Sequence, residues 1–239
     1  MEISQYSENA LTIYMGDDID ENVNRQLVSL KQKIEAQEIR GIEEIVISYT
    51  SLIIYFDLFD ADAEEIEKAV RNIDTDSLLE GGFEYRTVEI PVCYGGEFGP
   101  DIESFKENGL TADEVIDMHS GREYLVYMLG FMPGFPYLGG LDEKLHKARL
   151  DTPRMRIPAG TVGIGGEQTG MYPFESPGGW NLLGRTPVPL FDPGREEPIL
   201  YRAGDRILYR PIDEQEYGEI ARQAARGEYE VKIEMRSEG

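Results

Sequence analysis

The sequence predicts an α+β protein, with a ferredoxin-like βαββαβ domain over residues 1–95 and a β-rich domain over residues 96–239 that begins with a bridging helix. Three observations predict it. Through the first ninety or so residues, strand-like runs alternate with segments whose apolar residues recur at helical spacing. From Glu123 onward short β-like runs are divided by Gly and Pro, and residues 130–186 hold 12 of the 26 glycines. The charge also changes. Residues 1–100 carry 22 Asp/Glu against 7 Lys/Arg, a net of −15, whereas residues 152–190 carry Arg154, Arg156 and Arg185 against Glu167 and Glu175, a net of +1.

The elements follow in order. Ala10–Gly16 reads as a short apolar strand, and Val23, Leu27, Leu30 and Ile34 form the stripe of an amphipathic helix. Glu44–Tyr49 and Leu52–Leu58 are rich in Ile, Val, Tyr and Phe and suit the two arms of a hairpin. Ile66, Ala69, Val70 and Ile73 mark a second helix. Arg86–Tyr94 closes the first domain as a strand, at an edge or with Pro91 at the strand's end, because Pro91 has no N–H to give a ladder. Thr111 and Glu114 have capping-box spacing and open the bridging helix, which Gly121 stops. Tyr124–Leu129, Gly160–Ile164 and Arg206–Tyr209 are strands of a barrel or sandwich. Asp213 and Glu216 cap a last helix running to Arg226, and Tyr229–Met235 forms a final strand.

Composition narrows the function classes. The chain has 239 residues, 46 acidic against 23 basic, for a formal net charge of −23. A field of that sign repels nucleic acid and anionic membrane surfaces. It suits either a solvated acidic surface or adaptation to high salt. No apolar run approaches the ~20 residues of a membrane-spanning helix, and the first residues show no signal-peptide pattern. Cys93 is the single cysteine, so neither an internal disulfide nor a cysteine zinc cluster is expected, and a reducing cytoplasm is the expected location.

Three blocks carry candidate chemistry. In the first, residues 130–140, Phe131, Phe135 and Tyr137 sit among prolines and glycines, giving a stiff loop that lines a pocket, docks a partner or packs a barrel corner. The second, residues 153–173, places Arg154 and Arg156 two apart on one strand face, where they can clamp a phosphate or carboxylate. There Gly163, Gly165 and Gly166 can expose N–H groups as an anion nest, or simply turn the chain between strands. Gln168 stands where a dinucleotide fingerprint needs its third glycine, and no phosphate-loop motif occurs. The third block sets Trp180 behind Gly178 and Gly179 and is followed by Arg185, a cation in a near-neutral stretch. His119, at the end of the capped helix, is either a general acid–base or a hydrogen-bonded helix-end histidine. No metal-ligating set is expected.

Taken together, the blocks GFMPGFPYLGGL at 130–141, PRMRIPAGTVGIGGEQTGMYP at 153–173, SPGGWNLLGRTP at 176–187 and LFDP at 190–193 resemble the 5-oxoprolinase B-subunit family. That family also includes the kinase inhibitor KipI and the allophanate hydrolase subunit 1 domain of urea carboxylases. The resemblance implies a cyclophilin-like β-barrel for the second domain. It implies an ATP-dependent amidohydrolase that opens 5-oxoproline to glutamate, inactive alone and working with the C subunit, which is allophanate hydrolase subunit 2-like, and the A subunit. ATP is implied at the level of the complex, with Mg2+ accompanying it. The expected site then comprises His119 and Arg185 in catalysis, with Phe135, Tyr137, Arg154, Arg156, Gly163, Gly165, Gly166, Gln168, Tyr172, Gly178, Gly179 and Trp180 for substrate or nucleotide. Inhibition of a sporulation histidine kinase, or a part in urea or allophanate metabolism, are the alternatives. Leu145–Arg149 departs from the family pattern, and the last ~25 residues extend beyond what the resemblance covers.

Overall fold

The computed structural model describes residues 1–75, 78, 83–130 and 132–238. Phe131, one of the three loop aromatics, lies outside the described residues. The chain forms two compact units, Met1–Glu84 joined by the terminal stretch from Ser237, and Tyr85–Arg236.

The first unit contains β1 (Glu2–Ser7), β2 (Ala10–Tyr14), α1 (Glu21–Glu35), β3 (Ile42–Ile47), β4 (Ser51–Phe56) and α2 (Ala63–Arg71). Its sheet is antiparallel throughout, in the order β1-β2-β4-β3. The helices start where carboxylates can satisfy orphan N–H groups: Asp20 accepts from Asn22 and Val23, and Asp62 accepts from Glu64. Leu27, Leu30 and Ile34 of α1 and Ile66 and Val70 of α2 are buried, as are the alternating Leu52, Ile54 and Phe56 of β4. The helical stripes and the hairpin therefore fold as their spacing predicts.

Two expectations are corrected. A strand that the sequence reading missed, β1, forms a hairpin with β2 at the sheet edge; its polar, exposed residues carry no apolar alternation to reveal it. The expected last strand belongs elsewhere. β5 (Phe83–Tyr94) joins the sheet of the second unit, so the order here is ββαββα rather than βαββαβ, and the units divide between Glu84 and Tyr85 rather than at 95.

The second unit continues with a 3-10 turn at Ile102–Asn108, α3 (Ala112–Ser120), β6 (Glu123–Leu129), β7 (Pro136–Gly139) and β8 (Arg154–Ile157). Next come β9 (Thr161–Gly165), β10 (Gln168–Met171), β11 (Ser176–Gly178), β12 (Asn181–Arg185), β13 (Arg206–Ile212), α4 (Glu214–Ala225) and β14 (Ile233–Glu238). Eight strands form one sheet in the order β10-β9-β12-β5-β13-β6-β7, with β14 also on β5. Its end strands β10 and β7 lie side by side, so the sheet nearly closes into a barrel. Val88, Ile90, Val126, Ile164, Leu183 and Ile207 fill the interior. A separate two-stranded ladder pairs β8 with β11.

Pro91 shows how the central strand tolerates a proline. β5 runs parallel to β13 along one side. On the other side Glu89 N–H donates to Lys232 O beside β14, while Cys93 and Tyr94 pair with β12. The Pro91 nitrogen falls on that second side, between one partner strand and the next, so no ladder bond is lost. Of the two alternatives, the edge strand is corrected, and Pro91 lies near the end of β5. The capping box of α3 forms as read, with Glu114 N–H donating to Thr111 Oγ1 and Thr111 N–H donating to the Glu114 carboxylate. Asp213 caps α4 by accepting from Glu216 N–H on its carboxylate.

Candidate functional site

The glycine-rich blocks converge on one face of the barrel. Phe135 just before β7, Tyr172 just after β10 and Trp180 just before β12 are all buried and belong to one cluster. Their rings meet edge to face, with centroids 5.8 Å apart for Phe135–Trp180, 5.9 Å for Phe135–Tyr172 and 6.0 Å for Tyr172–Trp180. Tyr137, half-buried, meets Phe135 at 5.5 Å. Glycines make room for these rings. A Cβ on Gly165 would lie 2.4 Å from Trp180 Nε1, and one on Gly178 would lie 2.4 Å from the Tyr172 hydroxyl. Gly163 faces the Asn181 carbonyl at 2.8 Å in the same sense.

The anion-nest expectation is therefore corrected. Gly163 and Gly165 lie inside β9, their backbone committed to ladders with β10 and β12, and what approaches them is protein. Gly166 is different in kind. At φ +70 it turns the chain between β9 and β10, and it exchanges two backbone hydrogen bonds with Lys147. Gln168 opens β10 opposite Gly165. Gly179 accepts a hydrogen bond from Leu150 N–H at 2.7 Å, which brings the neighbouring, exposed Arg149 to within 5.9 Å of the Trp180 ring centre.

The arginines divide by partner. Arg154 binds Asp101 at 2.6 Å and the Trp180 carbonyl at 3.3 Å, while Asp101 also accepts from Leu182 N–H at 2.7 Å. Arg156 makes a two-pronged pair with Glu175, 3.0 Å on each prong, between exposed side chains. Both are matched by carboxylates, so they do not form the expected clamp. Arg185, on β12, is half-buried with its guanidinium 5.5 Å from the Phe98 ring centre. Tyr217 lies beside it, 4.5 Å from Phe98, its phenol pushed up by burial and drawn back by the Arg185 charge. Among the described residues Arg185 has no carboxylate partner, and its buried Nε meets no acceptor.

His119 sits in the barrel core with no exposed surface. Thr169 donates to the Gly163 carbonyl at 3.1 Å, so its oxygen accepts from His119 Nε2–H at 2.8 Å. That leaves Nδ1 unprotonated, and it accepts from the Tyr94 hydroxyl at 2.8 Å. Tyr124 donates to the His119 carbonyl at 2.8 Å, and the Tyr209 ring stacks on the imidazole at 4.6 Å. Burial, with the Arg122 charge, pushes His119 down to about 3. A neutral, doubly bonded imidazole with no path to a ligand holds the end of α3 against the barrel. The expected acid–base role is replaced by that structural one. The tyrosine and threonine partners were missed by sequence reasoning, although the alternation of β5, β6 and β13 turns Tyr94, Tyr124 and Tyr209 toward one another.

Residues 1–201 match the family described as the carboxyltransferase domain, subdomain C and D. The chain is 43% identical over 228 residues to the 5-oxoprolinase B subunit of Bacillus subtilis, covering 90% of this chain and 95% of that one. It is 40% identical over 210 residues to the 5-oxoprolinase B subunit of Haemophilus influenzae, covering 87% and 97%. The solved structure of TTHA0988 superposes with a TM-score of 0.75 at 34% identity over 85% of this chain, which spans only 40% of that longer one. Urea amidolyase of Saccharomyces cerevisiae is 23% identical, and the matched part is 14% of its length.

Proposed function

The chain belongs to the 5-oxoprolinase B-subunit family, and we propose that it serves, with the A and C subunits, in the ATP-dependent opening of 5-oxo-L-proline to L-glutamate. The observation that carries this reading is the identity of 40% or more spread over nearly the whole of two such B subunits. The second unit is a nearly closed barrel, which we read as cyclophilin-like. No helix among the described residues is long and apolar enough to cross a membrane, and cytoplasmic residence remains part of the proposal.

A lactam amide is a poor electrophile. Phosphoryl transfer from ATP to its oxygen activates the ring carbon: water adds there, the C–N bond breaks with the amine taking a proton as it leaves, and a second water releases inorganic phosphate from the acyl phosphate so formed. The residues first expected to hold ATP do not fit a triphosphate: the β9 glycines are filled by aromatic rings, and Arg154 and Arg156 already hold carboxylates. In this proposal ATP and its Mg2+ therefore belong to the complex, and the glycine block of this chain serves the packing of the barrel. The group this chain offers is Arg185, always charged, over the Phe98 ring, with an Nε left unmatched. Such a group suits a carboxylate like that of 5-oxoproline. Kinase inhibition and urea or allophanate metabolism use related folds, but no feature of this site favours either.

Co-purifying the chain with the A and C subunits and measuring 5-oxoproline-dependent ADP release tests the reading. Release by the three-subunit complex, and none by this chain alone, is expected. A complete complex that releases no ADP would overturn it, and release by this chain alone would remove the need for partners.

A further inference from the structure

The turn between β4 and α2 displays two large apolar side chains, Phe59 at 97% exposure and Leu58 at 50%. A single exposed apolar residue needs no explanation; the rigidity of this turn does. Asp57 accepts the Phe59 N–H on its carboxylate at 2.8 Å, and its carbonyl accepts from Asp60 at 3.1 Å and Ala61 at 2.9 Å. Asp57 N–H donates to the Gly41 carbonyl at 2.8 Å, and Arg40 pairs with Asp60 at 2.5 Å. Gly41 is at φ +82, and a Cβ there would lie 2.6 Å from the Ala61 Cβ, so the turn is pressed against the start of β3 with no slack. The backbone that carries the exposed phenylalanine is thus fixed.

The segment it leans on borders a groove between the end of α1 and the edge strand β3. Half-buried Ile39 and Ile42 line the groove, and exposed Glu38, Glu43 and Glu44 rim it. Lys31 donates to the Ile45 carbonyl at 2.8 Å, covering an acceptor on the strand edge, so side chains rather than an added strand are what this face offers. Residues 1–84 carry 20 Asp/Glu against 6 Lys/Arg, a net of −14. A second copy of this unit, or an anionic membrane, would meet that charge with its own sign.

We propose that the Phe59 turn and the adjoining Ile39–Ile42 groove dock a companion subunit of the 5-oxoprolinase, whose matching surface is an apolar socket rimmed by Lys and Arg. This rests on the reading of the chain as one component of a 5-oxoprolinase. The charge complementarity selects the partner and speeds its capture, and the buried ring supplies the central contact.

The test measures affinity of the full chain for the A and C subunits, beside ADP release by the assembled complex. Phe59→Ala is expected to weaken binding at least tenfold with an unchanged melting curve, since the ring touches solvent in the free chain. The double variant Glu43→Lys, Glu44→Lys is expected to weaken it further, and rising salt to weaken the unaltered chain. Wild-type affinity retained by Phe59→Ala in a complex that turns over 5-oxoproline would overturn this surface and leave the functional reading standing. Phe59-dependent assembly without turnover would overturn the functional reading alone. Failure to bind either companion, or self-association lost in Phe59→Ala, would overturn the proposed partner.

Discussion

His119 and Arg185 lie in the same barrel unit, and their surroundings treat them in opposite ways. Around His119 every polar valence is answered: Tyr94 fills Nδ1, Thr169 fills Nε2, and Tyr209 covers the ring. Around Arg185 the contacts are the Phe98 ring and the Tyr217 hydroxyl, and the buried Nε–H is left without an acceptor among the described residues. A buried donor without a partner costs roughly 1–3 kcal/mol, so folds seldom keep one without a use. Saturation marks His119 as a fastener, whereas the unmatched Nε is what supports the proposal of Arg185 as a ligand group. As sequence candidates both were expected in catalysis, with Arg185 singled out by its near-neutral surroundings.

The contrast can be broken or sharpened by substitution. His119→Ala strands two buried hydroxyls and opens a cavity under Tyr209, so it should cost about 3–4 kcal/mol in chemical denaturation. A loss below about 1 kcal/mol would show that the network is dispensable. Gly165→Ala drives a methyl into the Trp180 indole and should cost up to about 3 kcal/mol while leaving the His119 network intact. Near-wild-type stability there would mean that Trp180 is loosely seated.

Acid should separate the two regions next. His119 takes a proton only near pH 3 in the folded chain, against 6.5 when exposed. The unfolded chain therefore gains the proton first, and the stability contribution, complete above pH 6.5, is lost as pH falls toward 3. Between pH 7 and pH 5 this should remove about 2 kcal/mol, and His119→Gln should flatten that part of the curve. An unchanged slope in the variant would assign the acid sensitivity to other groups. The smallest effect is expected for Arg156→Ala, which breaks an exposed pair with Glu175 and should shift stability by no more than about 0.5 kcal/mol. A larger loss would show that the pair holds the β8–β11 ladder.

Local patterns were legible in the sequence. The α1 stripe, the Thr111–Glu114 capping box, the Asp213 cap and the β-rich texture after Glu123 all appear where spacing and capping chemistry put them. What spacing cannot convey is which distant segment a strand will pair with. β5 carries an ordinary alternation, and only its pairing with β12 and β13 assigns it to the barrel. The glycines illustrate the same limit at the site. Gly163, Gly165 and Gly166 look alike in a string, yet a carbonyl packs on the first, the indole of Trp180 packs on the second and only the third makes a turn. Likewise the charge of Arg154, Arg156 and Arg185 was visible, but their carboxylate partners Asp101 and Glu175 were not, and those partners decide which arginine is left available.

Turnover by the assembled complex carrying Arg185→Ala, measured as 5-oxoproline-dependent ADP release beside the unaltered complex, tests the central claim most directly. ADP release by the unaltered complex is expected, with a loss of at least about a hundredfold in the variant, the subunits still assembled and the melting curve within about 1 kcal/mol of wild type. Equal release by the two complexes would return Arg185 to a packing role, and no release by the unaltered complex would contradict the assignment of this chain to a 5-oxoprolinase.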